Sequence, residues 1–175
     1  MTGIERGRKR RLRGLALVVV MASLGVGASA LAASPKPIAA VDVKIPDKLL
    51  DLAVKKEDVA KSLPTGRTDV AADGMSLYSI RRGDNLLIAT LQVVHFRPDT
   101  DPSSARFRTT FVDAIGSTST EVVMMGTERV SITAAKGLTI AVWFRARDAF
   151  VLSIRSKDFN QPKSLLRQAF EQVTP

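Results

Sequence analysis

The chain has 175 residues, of which 45% are hydrophobic, and a formal net charge of +9 at pH 7. This hydrophobic content is too high for a disordered protein, and a length not far above about 150 residues suits one folded domain. The chain has no cysteine, which excludes disulfides, thiolate metal sites, cysteine nucleophiles and a lipid-modified cysteine.

Much of the positive charge lies at the N-terminus. Residues 1–13 carry six Lys or Arg and one Glu, which leaves 20 basic and 16 acidic residues, a charge of +4, for the rest of the chain. A charge of this size is a mild preference for anionic surfaces and not the signature of a nucleic-acid-binding protein. We therefore expect no nucleic-acid partner.

Residues 1–33 are predicted to be a signal peptide. A basic start leads into an apolar run from Leu15 to Leu24, and Ala28-Ser29-Ala30 fits the small-x-small pattern of a cleavage site. The protein is then secreted or extracytoplasmic. The alternative is an uncleaved membrane anchor, since the segment from Gly14 to Ala32 approaches the roughly 20 apolar residues that span a bilayer.

Residues 34–46 contain three prolines and are predicted to be a tether, which leaves residues 47–175 as a single domain. The domain is predicted to open with helix. Leu49, Leu50, Ala53 and Val54 have helical spacing, and the acidic pair at Glu57 suits the start of a second short helix that ends before Pro64.

The next predicted elements are two strands and a helix. Met75–Arg81 and Leu86–Phe96 have the composition of a strand pair, joined by a turn at residues 82–85. Asp101 is the predicted N-cap of a helix with Pro102 at its first position. The apolar stripe of this helix consists of Phe107, Phe111, Val112 and Ile115.

The C-terminal half is predicted to be a meander followed by a helix. Residues 121–125 form a short strand, and the alternating runs of residues 129–155 are typical of consecutive antiparallel strands. The last helix has a regular apolar stripe, formed by Leu165, Leu166, Ala169, Phe170 and Val173. Each half thus consists of strands followed by an amphipathic helix, a loose two-half repeat.

These elements predict an α+β fold in which an antiparallel sheet of about five to six strands is packed by amphipathic helices. The predicted core face of the meander combines two sets of side chains, namely Leu138, Ile140, Val142 and Phe144 with Phe150, Leu152 and Ile154. Neither the central helix nor the C-terminal helix can bury its apolar stripe alone. Both helices are therefore expected to pack on this shared sheet.

The opposite face of the meander is the candidate binding site. Alternation turns Trp143 and Arg145 away from the predicted core face, and Arg129 and Arg155 join them from neighbouring strands. A tryptophan among arginines suits an anionic or glycan-like ligand through stacking and charge-assisted hydrogen bonds. The alternative is that N-terminal helices cover this face and Trp143 is a core residue.

No other motif predicts chemistry. His95 is the only histidine and is interpreted as structural, because no cysteine, second histidine or nucleophile elbow accompanies it. Asp99 and Asp101 lack the glycine and glutamate of a calcium loop, and Arg82-Gly83-Asp84 is interpreted as a hairpin turn. We expect no metal, no cofactor and no catalysis. An enzyme using carboxylates such as Asp84, Asp99, Asp101 or Asp113 is the weakest alternative, since no pair has a defining spacing.

Three short motifs resemble exported actinobacterial α+β envelope domains, which include lipoproteins and the sensor domains of some kinases. They are Leu49-Leu50 with Glu57-Asp58-Val59, Met125-Gly126-Thr127-Glu128, and Asn160-Gln161-Pro162. The resemblance implies an envelope location for residues 47–174 and brings no catalytic residues. The chain departs from that group in lacking the lipid-anchor cysteine and the disulfides.

The resulting hypothesis is an exported, envelope-associated, non-catalytic module that binds a ligand or a partner protein, with possible membrane association through its N-terminus. The alternative function is a carrier for an apolar or anionic envelope molecule, a lipid or a glycan, held between the sheet and the helices.

Overall fold

A computed structural model describes residues 43–58, 72–115, 120–135, 137–155 and 162–173. The N-terminal strands are β1 (Lys48–Leu49), β2 (Leu52–Glu57), β3 (Ala72–Arg81) and β4 (Leu87–Phe96). Helix α1 (Ala105–Ala114) follows them. The C-terminal strands are β5 (Thr120–Met125), β6 (Glu128–Ala135), β7 (Leu138–Arg145) and β8 (Asp148–Arg155), and helix α2 (Pro162–Gln172) comes last. The predicted signal peptide and all but the end of the predicted tether lie outside the described residues.

All eight strands belong to one antiparallel sheet in the order β1-β2-β3-β4-β8-β7-β6-β5. Two four-stranded meanders therefore meet at the β4–β8 pair, and each is followed in the chain by a helix. Strands make up 55% and helices 20% of the described residues. The α+β prediction with five to six strands was wrong, because this β-rich fold has more strands and its described part has only two helices.

The predicted N-terminal helix is instead a β-hairpin. Leu49 and Leu52 pair across a two-residue turn in which Leu50 and Asp51 have φ of 49° and 61°. Strand β2 then pairs with β3 along five residues, from Ala53 to Glu57. Hydrogen bonds to β3 thus override the helical spacing of the leucines. The predicted second short helix lies largely outside the described residues.

The other predicted elements are confirmed with small shifts. Strands β3 and β4 form a hairpin, β5 to β8 form the predicted meander, and α2 buries its whole predicted stripe. Helix α1 begins later than predicted. Its N-cap is Ser104, whose hydroxyl accepts from the Phe107 amide, and not Asp101.

The two helices lie on opposite faces of the sheet. Helix α1 contributes Phe111 and Val112 to a core that contains Ile140, Val142 and Phe144. Helix α2 forms the core on the other face, and there its stripe packs with Trp143, Phe150, Leu152 and Ile154. Both helices thus pack on one shared sheet, as predicted, and each face of the central strands has its own apolar core.

Asp101 has a different local role, which makes the stability of the protein depend on pH. The Ser103 hydroxyl and amide donate to Asp101 Oδ1 at 2.5 and 3.0 Å, and the hydroxyl is the main cause of a pKa below the ordinary 3.8. A lowered pKa means that the carboxylate stabilises the fold above about pH 3.8 and loses this effect as the pH falls through the lowered pKa.

We therefore expect Asp101→Asn to lower the melting temperature slightly at neutral pH and to leave it unchanged in strong acid. Thermal melts of both proteins from about pH 2.5 to 7 test this, since the two curves should converge on acidification. A difference that stays constant or grows as the pH falls would contradict the proposed role of Asp101.

Candidate functional site

The candidate residues do not share one face of the sheet. Trp143 pairs with Phe150 and therefore lies on the face of the sheet that helix α2 covers, which we call the α2 face. Arg145 lies on the same face. Arg155 lies opposite Leu138, and Arg129 is two residues before Ser131, which lies opposite Val142. Leu138 and Val142 pack in the core that α1 covers, so both arginines lie on that face, the α1 face. The registers of the β6–β7 and β7–β8 pairs cause the separation, because each pairs even-numbered with odd-numbered residues, as Ser131 with Val142 and Trp143 with Phe150. The predicted core face was wrong for the same reason.

Trp143 is a core residue. Its side chain is 0% exposed and stacks on Phe150, with ring centroids 5.3 Å apart and an interplanar angle of 6°. The Phe170 ring of α2 meets it edge-on at 5.9 Å. Helix α2 thus covers the tryptophan, so this side chain has no open surface on which a ligand could stack.

Arg145 holds the C-terminal end of helix α2. Its guanidinium donates to the carbonyl oxygens of Phe170 and Val173, lies 4.5 Å from the centroid of the Phe170 ring, and donates through Nε to Glu128 at 3.1 Å. The last carbonyls of a helix need such donors, and a cation there also interacts favourably with the helix dipole. These contacts occupy Arg145 within the fold.

Of the four candidates, Arg129 is the exposed arginine, and it lines a groove that we call the α1 groove. Arg155 is half-buried and interacts with other groups of the chain. The groove runs between α1 and the β5–β6 hairpin and has a volume of about 360 Å³. One wall is formed by Arg108, Val112 and Asp113, the other by Val122, Arg129 and Ser131, and Phe144 also lines it.

The α1 groove combines an apolar lining with two arginines. Arg108 donates from Nε to the Pro102 carbonyl at 2.7 Å, and its guanidinium lies 5.1 Å from the Phe144 ring centroid. These contacts fix Arg108 on the helix side, while Arg129 stands on the strand side. Hydroxyls of Ser103, Thr109, Thr120 and Ser131 surround the groove, and Asp113 is its acidic residue. The groove volume of about 360 Å³ is within the range of ligand pockets.

A second groove, the α2 groove, lies on the other side of β5. It has a volume of about 560 Å³ and is lined by β5 and β6 residues such as Met125 and Ile132 and by polar α2 residues, among them Lys163, Arg167 and Glu171. Strand β5 is thus flanked by a groove on each face. Neither groove follows from the local sequence pattern, because each depends on where a helix crosses the sheet.

His95 forms a polar pair that the sequence did not predict. Its Nδ1 lies 2.5 Å from Oδ1 of Asp148, which is its direct neighbour across the β4–β8 pair. Asp148 is buried and His95 is partly exposed. The pair satisfies a buried carboxylate between two central strands, which agrees with the structural interpretation of this histidine.

The carboxylates proposed for catalysis are dispersed. Asp84 lies at the β3–β4 turn, where the hydrogen bond from Arg82 lowers its pKa, and the two side chains meet at 3.2 Å. Asp99 and Asp101 follow the far end of β4, so a ten-residue strand of roughly 33 Å separates them from Asp84. Asp113 stands alone in the α1 groove. In the described ranges no three potential ligands among His, Asp and Glu come together to hold a metal ion.

No protein-family model, curated protein or solved structure matches the chain. The resemblance to exported actinobacterial envelope domains therefore stays a prediction from the three short motifs. Within the described part of the chain, neither helix is long and apolar enough to cross a membrane.

Proposed function

We propose that this protein is an exported, envelope-associated binding module whose ligand is a small anion with an apolar part, bound in the α1 groove. The apolar part of the ligand packs against Phe144, Val112 and Val122, and its anionic group pairs with Arg129. The groove lining combines apolar side chains with arginines. This lining favours one form of the proposed function, a carrier for an anionic envelope lipid or glycan. The signal peptide predicted from the sequence of residues 1–33 is the basis for the proposed envelope location.

The proposal of an anionic ligand is supported by the lack of a partner for Arg129 among the described residues. Its side chain is exposed at the groove, and among the described residues it makes no hydrogen bond or ion pair, whereas Arg145 is occupied by helix α2. Arg108 adds a second positive charge on the opposite wall. A guanidinium is well suited to carboxylate and phosphate groups, which it binds through paired hydrogen bonds.

Titration with n-octyl phosphate, followed by calorimetry, tests the proposal. We expect Arg129→Ala to weaken binding about 10- to 100-fold, because a hydrogen bond to a charged group contributes about 1.5–3 kcal/mol. Arg106→Ala is the matched control, since it removes the same charge from an exposed position of α1 that does not line the groove. This control should bind as the wild type does.

Octyltrimethylammonium, which has the same chain and a positive head group, should not bind. Equal binding of both detergents would reduce the site to a nonspecific apolar groove. The proposal also fails if octyl phosphate does not bind up to about 1 mM, or if Arg129→Ala and Arg106→Ala weaken it equally.

A further inference from the structure

The α1 groove contains a carboxylate as well as two guanidinium groups. Asp113 lies on the helix wall, Arg129 lies on the strand wall, and both side chains are exposed. Neither side chain makes a hydrogen bond or an ion pair with a described residue, so the two do not pair with each other. Opposite charges that line one groove without satisfying each other are complementary to a ligand that carries both charges.

Asp113 and Arg108 share the helix wall but point to different flanks of it. They are five positions apart in α1, which corresponds to about 7.5 Å along the helix axis and about 140° around it. The Pro102 carbonyl and the Phe144 ring hold Arg108 on its own flank. Asp113 therefore has no cationic partner on the helix wall, and its carboxylate is available to a ligand.

The place of Asp113 in α1 opposes the preference of the helix. Asp113 lies in the last turn, where the negative end of the helix dipole disfavours a carboxylate. No basic residue stands in that turn to compensate for it. A residue that breaks a local rule without a compensating contact is expected at functional sites more than elsewhere. The helix therefore gives no structural reason for an acidic residue at this position.

We propose that the ligand of the α1 groove is a zwitterion with an apolar part, whose anion pairs with Arg129 and whose ammonium group pairs with Asp113. This inference rests on the proposed function and adds a second charge to the ligand. The head group spans the groove from the strand wall to the helix wall, and the apolar part packs against Phe144. The Thr109 hydroxyl, one turn before Asp113, is a further acceptor for the ammonium group.

The charges of the groove also decide which ligands it rejects. Two arginines and one aspartate line it, which gives a net charge of +1. A ligand whose only charge is positive is therefore repelled, whereas a zwitterion places its ammonium group at the one acidic position and its anion at the arginines. Asp113 thus selects, among ligands with an anionic group, those that also carry an amino group.

Two classes of molecule have this chemistry, namely lipids with an aminoalkyl phosphate head group and free amino acids with an apolar side chain. The test uses one probe of each class, n-octyl phosphoethanolamine and 2-aminooctanoic acid. Each is compared with a molecule that differs from it only in lacking the ammonium group, n-octyl ethyl phosphate and octanoic acid. The class in which the ammonium group adds affinity is the source of the ligand.

Calorimetric titration at pH 7 measures the four probes. We expect the ammonium group to tighten binding about tenfold in one of the two classes, because it makes charge-assisted hydrogen bonds to Asp113. Asp113→Asn should remove this preference. The same variant should bind the probe without an ammonium group about twofold more tightly than the wild type does, because a charge that repels the anion is gone. Loss of the fold would weaken both probes instead.

Glu121→Gln is the matched control. It removes one carboxylate from an exposed position of β5 that neighbours Val122 in the sequence but lies on the other face of the strand, outside the groove lining. This variant should keep the preference of the wild type. A preference lost equally in Asp113→Asn and Glu121→Gln would reduce the effect to the net charge of the protein and overturn the inference.

The inference and the proposed function fail in different ways. If octyl phosphate binds through Arg129 and the ammonium group adds no affinity in either class, the zwitterion is overturned and the anion site stands. The inference is also overturned if Asp113→Asn keeps the full preference, since the carboxylate is then not the partner of the ammonium group. If neither octyl phosphate nor any of the four probes binds up to about 1 mM, both the proposed function and the inference are overturned.

Discussion

Replacement of Trp143 by alanine is expected to destabilise the protein by about 3–5 kcal/mol, which is the usual cost of truncating a fully buried aromatic side chain. The substitution removes the stack on Phe150 and the edge contact with Phe170 and leaves a cavity beneath α2. Urea unfolding followed by far-ultraviolet circular dichroism measures this loss without needing the tryptophan signal.

Trp143→Phe is the control for the size of the side chain. It keeps a ring on Phe150 and removes the indole Nε1, a buried donor with no hydrogen-bond partner in the described structure. An unsatisfied buried donor costs about 1–3 kcal/mol, which offsets much of the lost packing. We expect Trp143→Phe to stay within about 1.5 kcal/mol of the wild type. If Trp143→Ala also stayed in that range, Trp143 would not be buried beneath α2.

The burial of Trp143 follows from the way in which helices cover both sides of the central strands. Strands β4, β7 and β8 are apolar on both faces, as strands covered on both sides usually are. Surface for binding is then left at the ends of the strands and toward the β5 edge, which neither helix covers fully. The α1 groove, the α2 groove and the side of β5 on which no described strand pairs all lie there.

The strand boundaries were predictable from the sequence because alternation and turn residues are local signals. Strands β3 to β8 and the stripe of α2 follow from them. The N-terminal hairpin was not predictable in this way. Its turn uses Leu50 and Asp51 at positive φ, which is unusual for leucine, and the neighbouring apolar residues happen to have helical spacing.

The prediction of which side chains share a face of the meander was wrong, although the sequence contains the information needed to make it. An even number of residues between β7 and β8 pairs even-numbered with odd-numbered positions, so Trp143 must share a face with Phe150. Applied to the sequence, this rule would have put Trp143 on the same side as Phe150, Leu152 and Ile154. It would also have separated Arg155 from Arg145, and the same rule at the β6–β7 connection would have separated Arg129 from Arg145.

The α1 groove depends on information that is not local. Arg129 was a candidate because of its strand position, but Arg108 and Asp113 join it only because α1 crosses this face of the sheet. The sequence shows that α1 has an apolar stripe and leaves open which face of the sheet it covers. The residue pattern therefore did not predict that the two helices lie on opposite faces of the sheet.

Arg145→Ala is expected to lower the free energy of unfolding by about 2–3 kcal/mol. The change leaves the Phe170 and Val173 carbonyls without their donor and Glu128 without its partner. Removing one member of a buried ion pair costs about 3–5 kcal/mol, and the expected loss is smaller because the Glu128 side chain is 35% exposed and regains water. Urea unfolding measures it, and amide exchange should accelerate first in the last turn of α2.

Arg145→Lys separates charge from geometry. Lysine keeps the positive charge but lacks the planar fork that reaches both helix carbonyls and Glu128 together, so we expect it to recover less than half of the loss. Glu128→Gln removes the ion pair alone and should cost about 1 kcal/mol or less, as partly exposed pairs do. The Arg145→Ala protein could instead be as stable as the wild type and have unchanged amide exchange in α2. That result would show that the helix does not need this arginine and that Arg145 is available to a ligand.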